Sequence, residues 1–324
     1  MLGEKRLVTT SILRKHLGMN RKITVFHDQI KIWIKCLLAE KNTVTAVFKL
    51  GYTTIGCISS IFTFSVLLKD LMGINTFENL CRRYWIALVL IGVMVSFVQN
   101  HEKVSCKSKV KDDDLQVEVK VNDLFSIKAS SYVIPTNTYF RTVMEGEYIS
   151  PNSVQGAFQL KYFGKDRNEL DKLIATSLEK QGIVGEDSSD IHGLVKKYPV
   201  GTVAKIDVNG KHFYFVAIND VNKYGKPINQ TYSNVDIALN GLLNAILLFG
   251  HCDDIAMPLM GTGKAAIREA TLENVVKDTV NIFVDSKDKI ARKLTVCIRP
   301  KDYLEDKIDL KRIGKYIDYK CEFK

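Results

Sequence analysis

Two uncharged hydrophobic runs dominate the first third of the chain. Residues 50–68 and 84–100 contain no charged side chain, and basic residues lie at or near both ends of each run. At about 1.5 Å per helical residue, each run is roughly 25–29 Å long, close to the hydrocarbon thickness of a bilayer. Neither run has a polar face at helical period, which disfavours a buried hairpin of a soluble domain. The pattern therefore predicts two transmembrane helices within residues 50–100.

The first run also carries small and hydroxyl side chains at Gly51, Gly56, Ser59, Ser60 and Ser65. Residues of this kind let helices approach closely in lipid. Two interpretations remain open, namely packing inside the hairpin and association between copies of the chain.

The hydrophobic pattern changes after a polar, charged stretch at residues 101–116, which is predicted to be a linker. Two β-rich segments flank Asn209-Gly210, a dipeptide typical of a two-residue β-hairpin. Further along, helices with one apolar face are predicted at 235–249 and 272–283.

Strands are predicted between and after these helices, at residues 255–259 and 294–298. The alternation of strands and helices indicates an α/β domain over residues 117–300, with a mixed sheet and helices on its faces. Residues 301–324 form a charged, partly helical extension to which no function is assigned.

The distribution of charge predicts the orientation of the chain in the membrane, and the cysteine spacing bears on metal and disulfide sites. The formal charge is +10, and residues 1–49 hold ten basic residues against three acidic ones. By the positive-inside rule this basic segment is cytoplasmic, and two spans place the C-terminal domain on the same side of the cell membrane. No nucleic-acid module accompanies the charge, so nucleic-acid binding is not expected. The seven cysteines lack C-x-x-C spacing, which disfavours a zinc site or a disulfide framework.

The segment from Pro258 to Lys264 is the most informative candidate for chemistry, because a glycine turn here lies between a strand and a helix. Main-chain amides in such a turn attract anionic oxygen. A P-loop is excluded, since Pro258 replaces its first glycine and Ala265 replaces its magnesium-binding hydroxyl. The alternative is that Gly261-Thr262-Gly263 only makes a tight turn.

Three further segments carry candidate residues at element boundaries. Asp123 and Leu124 follow a strand, Asn137 ends the next strand, and Ser153 and Gly156 open a helix. Asp123 could instead cap a turn, Asn137 could be a left-handed turn residue, and Ser153 could be a helix N-cap. The sequence His251-Cys252-Asp253-Asp254 more simply joins a helix to a strand, so no metal site is predicted.

Together these motifs resemble a macro domain, the ADP-ribose-binding module with a three-layer α/β/α fold. The resemblance implies that Asp123, with Leu124 beside it, contacts the adenine and that Asn137 contacts the distal ribose. It further implies that Ser153 to Gly156 cradle the diphosphate, with Gly261, Thr262, Gly263 and Lys264 in the second loop. The sequence departs from the family in Pro135-Thr136-Asn137 and lacks the triple glycine of hydrolytic members. Binding without catalysis, and without a cofactor, is therefore expected.

Paired hydrophobic spans before such a domain resemble the membrane–macro effectors of Thoeris antiphage systems. That resemblance implies a TIR-domain partner that makes an ADP-ribose-derived signal, such as histidine conjugated to ADP-ribose. It also implies assembly into homo-oligomers and damage to the host membrane. Two alternatives remain, a membrane-tethered hydrolase that processes ADP-ribose and a structural anchor with a vestigial pocket.

Overall fold

The chain divides into two units, residues 1–104 and 105–324. The computed structural model describes residues 43–73, 76–100, 104–144, 148–164, 167–261, 271–305 and 308–324. Most of the predicted basic segment, residues 1–49, therefore lies outside the described residues.

The described part of the first unit is helical. Its helices are α1 (Thr43–Met72), α2 (Thr76–Arg83) and α3 (Trp85–Asn100). A 23-residue stretch of α1, Leu50–Met72, is long and apolar enough to cross a bilayer, and almost none of it is buried within the protein. The first predicted span is thus present as a helix that continues four residues beyond residue 68.

The second predicted span differs from a single straight helix. With 16 residues, α3 is short for a span of its own. Helices α2 and α3 together reach the required length and hydropathy, but they meet at a bend of 80°. The predicted run at 84–100 is therefore a helix that is long enough to span only in combination with α2 or with help from flanking side chains. The apolar character of these helices indicates a membrane anchor.

Gly92 and Ser96 of α3 lie in the contact between the two helices. Of the small residues singled out in α1, Ser65 is buried, whereas Gly51, Gly56, Ser59 and Ser60 are exposed. A Cβ atom added at Gly92 would lie 3.2 Å from the Ile58 side chain. The buried Ser96 hydroxyl donates to the Leu50 carbonyl at 2.9 Å. Gly51 and Gly56, by contrast, face open space with respect to the described residues. Their side of α1 is not used within the hairpin.

The second unit is built on one mixed sheet with the strand order β1-β2-β10-β9-β3-β7-β6. Strands β2, β10, β9, β3 and β7 run parallel, whereas β1 and β6 are antiparallel edge strands. The bounds are β1 Ser105–Lys109, β2 Gln116–Val121, β3 Ser131–Asn137, β4 Glu186–Asp190, β5 Gly193–Lys197, β6 Val203–Val208, β7 Lys211–Val221, β8 Pro227–Ile228, β9 Asp254–Pro258 and β10 Lys293–Ile298.

Helices cover both faces of the sheet. Helices α4 and α5 bury Phe158, Leu170 and Ile174 against Tyr132 and Phe213 of the strands. Helix α6 packs on β6 and β7, α7 packs beside α6, and α9 packs on α7 and β1. The bounds are α4 Val154–Tyr162, α5 Arg167–Lys180, α6 Tyr232–Phe249, α7 Leu272–Val284, α8 Pro300–Glu305 and α9 Leu310–Glu322. The predicted α/β/α architecture is confirmed.

Helix α6 also has the length and hydropathy of a membrane span. Its apolar face is explained by packing, because Val235, Leu239 and Leu242 are buried in the second unit. The predicted hairpin is present as well, with Asn209 and Gly210 at φ 52° and 70° between β6 and β7. Both residues adopt the left-handed conformation that this turn requires.

Three parts of the second unit differ from the sequence-based interpretation. The sequence predicts a linker at residues 101–116, but Ser105–Lys109 form β1 and pair with β2. Cys106 and Ser108 are partly buried there, so this polar strand is half-covered rather than solvated. Residues 301–324 belong to the domain, because Ile313 and Ile317 of α9 are buried. The hairpin β4–β5 has no counterpart among the predicted elements; its strands are short and mostly exposed.

Candidate functional site

The predicted site residues gather at one edge of the sheet. Asp123 follows β2, Asn137 is the last residue of β3, and Gly261 follows β9. These three strands are parallel members of one sheet, so their carboxyl ends lie at the same edge. In open α/β sheets this edge is where ligands bind.

The strands β9 and β3 separate near this edge. Their pairing is limited to Ser131 with Ile255 and Tyr132 with Ala256. The chain then leaves β3 toward α4 on one face and leaves β9 toward α7 on the other. Such a divergence of connections is a topological switch point, where a crevice forms outside the strand ends.

Asp123 begins the short 3₁₀ turn Leu124–Ser126. Its Oδ1 accepts a hydrogen bond from the Phe125 amide at 2.9 Å, so the residue is an N-cap. The side chain is exposed, and within the described residues this bond leaves Oδ2 uncommitted. Leu124 is buried in the core, so only its main chain could contact a ligand. Capping and ligand binding are therefore compatible at Asp123.

Asn137 lies at an irregularity of β3. The strand register shifts between Thr136 and Asn137, and Asn137 is only 6% exposed. Its Oδ1 accepts the Tyr139 amide at 3.0 Å. Within the described residues, the Nδ2 group makes no hydrogen bond and remains a donor for a ligand. Asn137 does not have a positive φ, so its interpretation as a left-handed turn residue is wrong; its side chain instead supports the following turn through Oδ1.

Ser153 and Gly156 close a tight turn at the start of α4. The Ser153 hydroxyl accepts the Gly156 amide at 3.0 Å and donates to the Ser150 carbonyl at 2.7 Å. A Cβ at Gly156 would lie 2.2 Å from that carbonyl oxygen, so only glycine fits. The N-cap interpretation of Ser153 is thus correct, and both groups are occupied within the turn.

The first two main-chain amides of α4, which precede Gly156, are not used within this turn. The main-chain N–H groups of Val154 and Gln155 form no hydrogen bond with the described residues. They are the unsatisfied donors expected at a helix N-terminus, where anionic oxygen is favoured. These amides, rather than the Gly156 amide, are available to a phosphate.

Side-chain hydrogen bonds fix α4 against the end of β3. Gln155 is buried; its Oε1 accepts from the Thr136 hydroxyl at 3.0 Å and its Nε2 donates to the Arg141 carbonyl at 2.7 Å. Gln155 lies inside the predicted Ser153–Gly156 turn, but the sequence does not predict these side-chain hydrogen bonds. Its position in the first turn of a helix that follows Asn137 was the only signal available.

The second glycine loop is only partly described. Gly261 has φ 79°, in the left-handed region that favours glycine. Thr262, Gly263 and Lys264 lie outside the described residues. The observed geometry thus covers the start of this loop.

An ion pair at the end of β7 is likewise absent from the sequence-based prediction. Asp220 accepts from the Thr138 hydroxyl at 2.6 Å and from the Lys197 ammonium at 2.8 Å. Burial alone would raise the pKa of Asp220, but these hydrogen bonds outweigh it and the pKa lies below its usual range. Asp220 is therefore an ionised structural residue that attaches β5 to the edge of the sheet.

A cavity of about 270 Å³ lies beside the segment that follows Asn137. Aromatic residues Tyr139, Phe140 and Tyr198 line it together with Asp171 and Ala175 of α5. Thr142 donates to Asp171 in the lining, and Arg141 is held by two hydrogen bonds to Asp190. The cavity thus combines aromatic walls with fixed polar groups.

Comparison with solved structures finds macrodomains. An Oceanobacillus iheyensis macrodomain with ADP has 14% identity and a TM-score of 0.44, covering 67% of this chain and 97% of its own. The macrodomain of Thermus aquaticus DarG has 13% identity and a TM-score of 0.38, covering 57% and 99%. A Trypanosoma brucei macrodomain in complex with ADP-ribose has 10% identity and a TM-score of 0.37, covering 59% and 68%.

The comparison of sequences is more specific. None of the curated proteins compared with the chain matches it. Residues 117–299 match the family described as "Thoeris protein ThsA, Macro domain". This range covers more than half of the chain and contains every predicted ligand residue. The chain therefore belongs to the family of Thoeris ThsA macro-domain proteins.

Proposed function

We propose that the protein is a membrane-anchored antiphage effector that binds an ADP-ribose-derived signal and then assembles and disrupts the membrane. A TIR-domain partner makes this signal, of which histidine conjugated to ADP-ribose is the leading example. The observation that carries the proposal is the family match over residues 117–299, joined to two apolar helices in the same chain. The N-terminus and the macro domain lie on the cytoplasmic side of the cell membrane.

The uncommitted polar groups at the carboxyl edge support a nucleotide ligand. Asp123 has a carboxylate oxygen for an adenine amino group, and Asn137 has an amide donor for the distal ribose. The Val154 and Gln155 amides serve the diphosphate, which α4 favours through its N-terminal partial charge. Gly261, which follows β9 at the same edge of the sheet, is the proposed start of the second diphosphate contact.

Binding without turnover is favoured by the state of Asp220, the carboxylate that accepts a hydrogen bond from Thr138 just after the end of β3. A general base needs a pKa near the working pH and freedom to take a proton. Asp220 has a lowered pKa and is bound by Lys197 and Thr138. It is a poor base, and this argues against the hydrolase alternative.

Calorimetry of the full-length protein in detergent tests the proposal directly. ADP-ribose and its histidine conjugate are titrated separately, and the recovered ligand is analysed by chromatography. We expect saturable binding, tighter for the conjugate, with the ligand recovered intact. Turnover of either compound would favour the hydrolase alternative, and no binding of either would overturn the nucleotide assignment.

We also expect the full-length chain to fractionate with membranes and a chain without residues 1–100 to be soluble. The reason is that Leu50–Met72 and α3 expose apolar side chains with no protein partner among the described residues. The measurement is ultracentrifugation of lysates after carbonate washing. A full-length chain that stays in a detergent-free supernatant as a monomer would contradict the anchor.

The 270 Å³ cavity is the proposed place for the group conjugated to the distal ribose. It begins at Tyr139, two residues after Asn137, and its aromatic walls suit a planar ring. Ala175 lines it from the exposed side of α5, where a larger side chain is compatible with a helix.

Filling this cavity should therefore lower the affinity for the histidine conjugate without changing the affinity for ADP-ribose. We expect Ala175→Leu to weaken the histidine conjugate by about tenfold, on the scale of one lost buried group, and to leave ADP-ribose unchanged. Ala175→Ser is the matched control, because serine adds little volume. Equal affinities of the leucine variant and the parent protein for the conjugate would place that group elsewhere.

A further inference from the structure

The side chain of Gln155 joins three segments of the candidate site. Gln155 belongs to the first turn of α4 and is 3% exposed. Its Oε1 accepts from the hydroxyl of Thr136 in β3, and its Nε2 donates to the carbonyl of Arg141, which follows β3. Thr136 is buried as well. One buried amide group therefore connects α4, the end of β3 and the segment after it.

Each of these three segments carries one part of the proposed nucleotide site. The first two amides of α4 are the proposed diphosphate donors. Asn137, which directly follows Thr136, is the proposed ribose contact. Arg141 lies in the wall of the 270 Å³ cavity. The contacts of Gln155 thus determine how these parts lie relative to one another.

The segment between Asn137 and Arg141 has a backbone conformation that needs such support. Phe140 is buried and has φ 51°, a left-handed value that is rare for a bulky side chain. A conformation of this kind persists only where neighbouring contacts enforce it. The Phe140 amide donates to the Asn137 carbonyl at 3.0 Å, and Gln155 holds the carbonyl of the residue that follows Phe140. The turn is therefore held at both ends.

Other hydrogen bonds of this segment lead away from α4. The Arg141 guanidinium donates twice to Asp190 of β4, and Thr142 donates to Asp171 of α5. In the part of the chain that the structure describes, no side-chain hydrogen bond other than those of Gln155 joins α4 to β3 or to residues 138–144. The separation between the α4 amides and Asn137 therefore depends on Gln155.

We infer that Gln155 is a positioning residue that holds the diphosphate donors of α4 and the ribose contact Asn137 at a fixed separation. The inference rests on the proposed nucleotide function and adds a determinant of ligand selectivity to it. A ligand that reaches both contacts gains affinity from their fixed separation, because less of the protein must be ordered when it binds. A ligand that reaches only the diphosphate donors gains little from it.

Calorimetry of the full-length protein in detergent with ADP-ribose and with ADP tests this inference. ADP has the diphosphate but lacks the distal ribose, so the ratio of the two affinities reports the ribose contact. Gln155→Met keeps the length of the side chain and the main-chain amide but removes both hydrogen bonds. We expect it to lower the ratio about tenfold, the effect of losing about one hydrogen bond to the ribose.

Gln159→Met is the matched control for this substitution. Gln159 lies one turn further along α4 and is also buried, but its Oε1 accepts no hydrogen bond from the described residues. The same chemical change at this position should leave the ratio of affinities unchanged.

Two further sets of variants test the positioning role independently. Residues that act together have non-additive effects, so Asn137→Asp should cost little further affinity for ADP-ribose when Gln155→Met is already present. Thr136→Val removes only the hydroxyl donor and should lower the ratio in the same direction, whereas Thr136→Ser keeps the hydroxyl and should restore the ratio. The Thr136 variants decide the question if Gln155→Met does not fold.

The alternative outcomes are distinguishable. Equal losses of affinity for ADP-ribose and ADP would mean that Gln155 only stabilises the fold, which overturns the inference. An unchanged ratio in Thr136→Val, or additive losses for Asn137→Asp and Gln155→Met, would overturn it as well. A parent protein that binds neither compound would refute the nucleotide site itself.

Discussion

Replacing Gly56 with leucine is expected to abolish signal-dependent membrane leakage while the affinity for nucleotide stays unchanged. A Cβ atom added at Gly56 would have no described atom within 4 Å, so leucine does not disturb the packing of α1 on α3. It adds bulk to the side of α1 where Gly51, Ser59 and Ser60 would let neighbouring copies approach. The measurement is dye release from liposomes that carry the purified protein, with and without histidine–ADP-ribose.

The isosteric substitution Ile55→Leu is the matched control, since Ile55 is exposed on α1 and volume changes little. It should leak like the parent protein. Undiminished signal-dependent leakage from Gly56→Leu would show that this side of α1 is not the assembly surface. Leakage that is the same with and without signal would remove the coupling mechanism altogether, because a ligand that binds two states equally shifts neither.

Substitution of Asp123 or Asn137 by alanine is expected to weaken nucleotide binding by about 5- to 150-fold each, the effect of losing a hydrogen bond to a buried ligand group. Both side chains also hold a local turn through Oδ1. The alanine variants therefore lose a cap as well as a ligand contact, and thermal melting must accompany calorimetry.

Exchanging the amide and carboxylate groups of Asp123 and Asn137 distinguishes their role in the local turn from their role in ligand binding. Asp123→Asn and Asn137→Asp keep the Oδ1 acceptor for the Phe125 and Tyr139 amides while changing the second polar atom. We expect near-normal melting with affinity losses comparable to those of alanine. If both exchanged variants bind as tightly as the parent protein, Asp123 and Asn137 are turn residues only.

Those elements of the fold that depend on residues close together in the chain could be predicted from the sequence. The Asn209-Gly210 turn and the apolar faces of α6 and α7 predict their elements closely, because a turn type and a buried stripe each depend on residues near in sequence. Strand β1 could not be predicted, because Ser105–Lys109 is a largely polar sequence. The strand forms through its pairing with β2. An edge strand of this kind is set by tertiary contacts.

The candidate site was predictable in kind but not in detail. Loops at strand ends pointed to Asp123, Asn137 and Gly261. The use of the Gly156 amide by Ser153 was foreseeable as a cap, whereas the hydrogen bonds of Gln155 and Asp220 join segments 14 to 82 residues apart and leave no local pattern. Contacts at such separations are decided by the assembled sheet.

The antiparallel direction of β1 has a mechanical consequence. Ser105 pairs with Lys120, so the first residue after the tether lies at the same sheet edge as Asp123, which is only three residues beyond Lys120. At about 3.3 Å per residue, Lys120 and Asp123 are at most roughly 10 Å apart along the chain. A force applied to Ser105 therefore acts close to the proposed nucleotide site. Under the proposed function, membrane tension and ligand occupancy would act on the same end of this strand pair, and we expect a stretched bilayer to alter the rate at which nucleotide leaves.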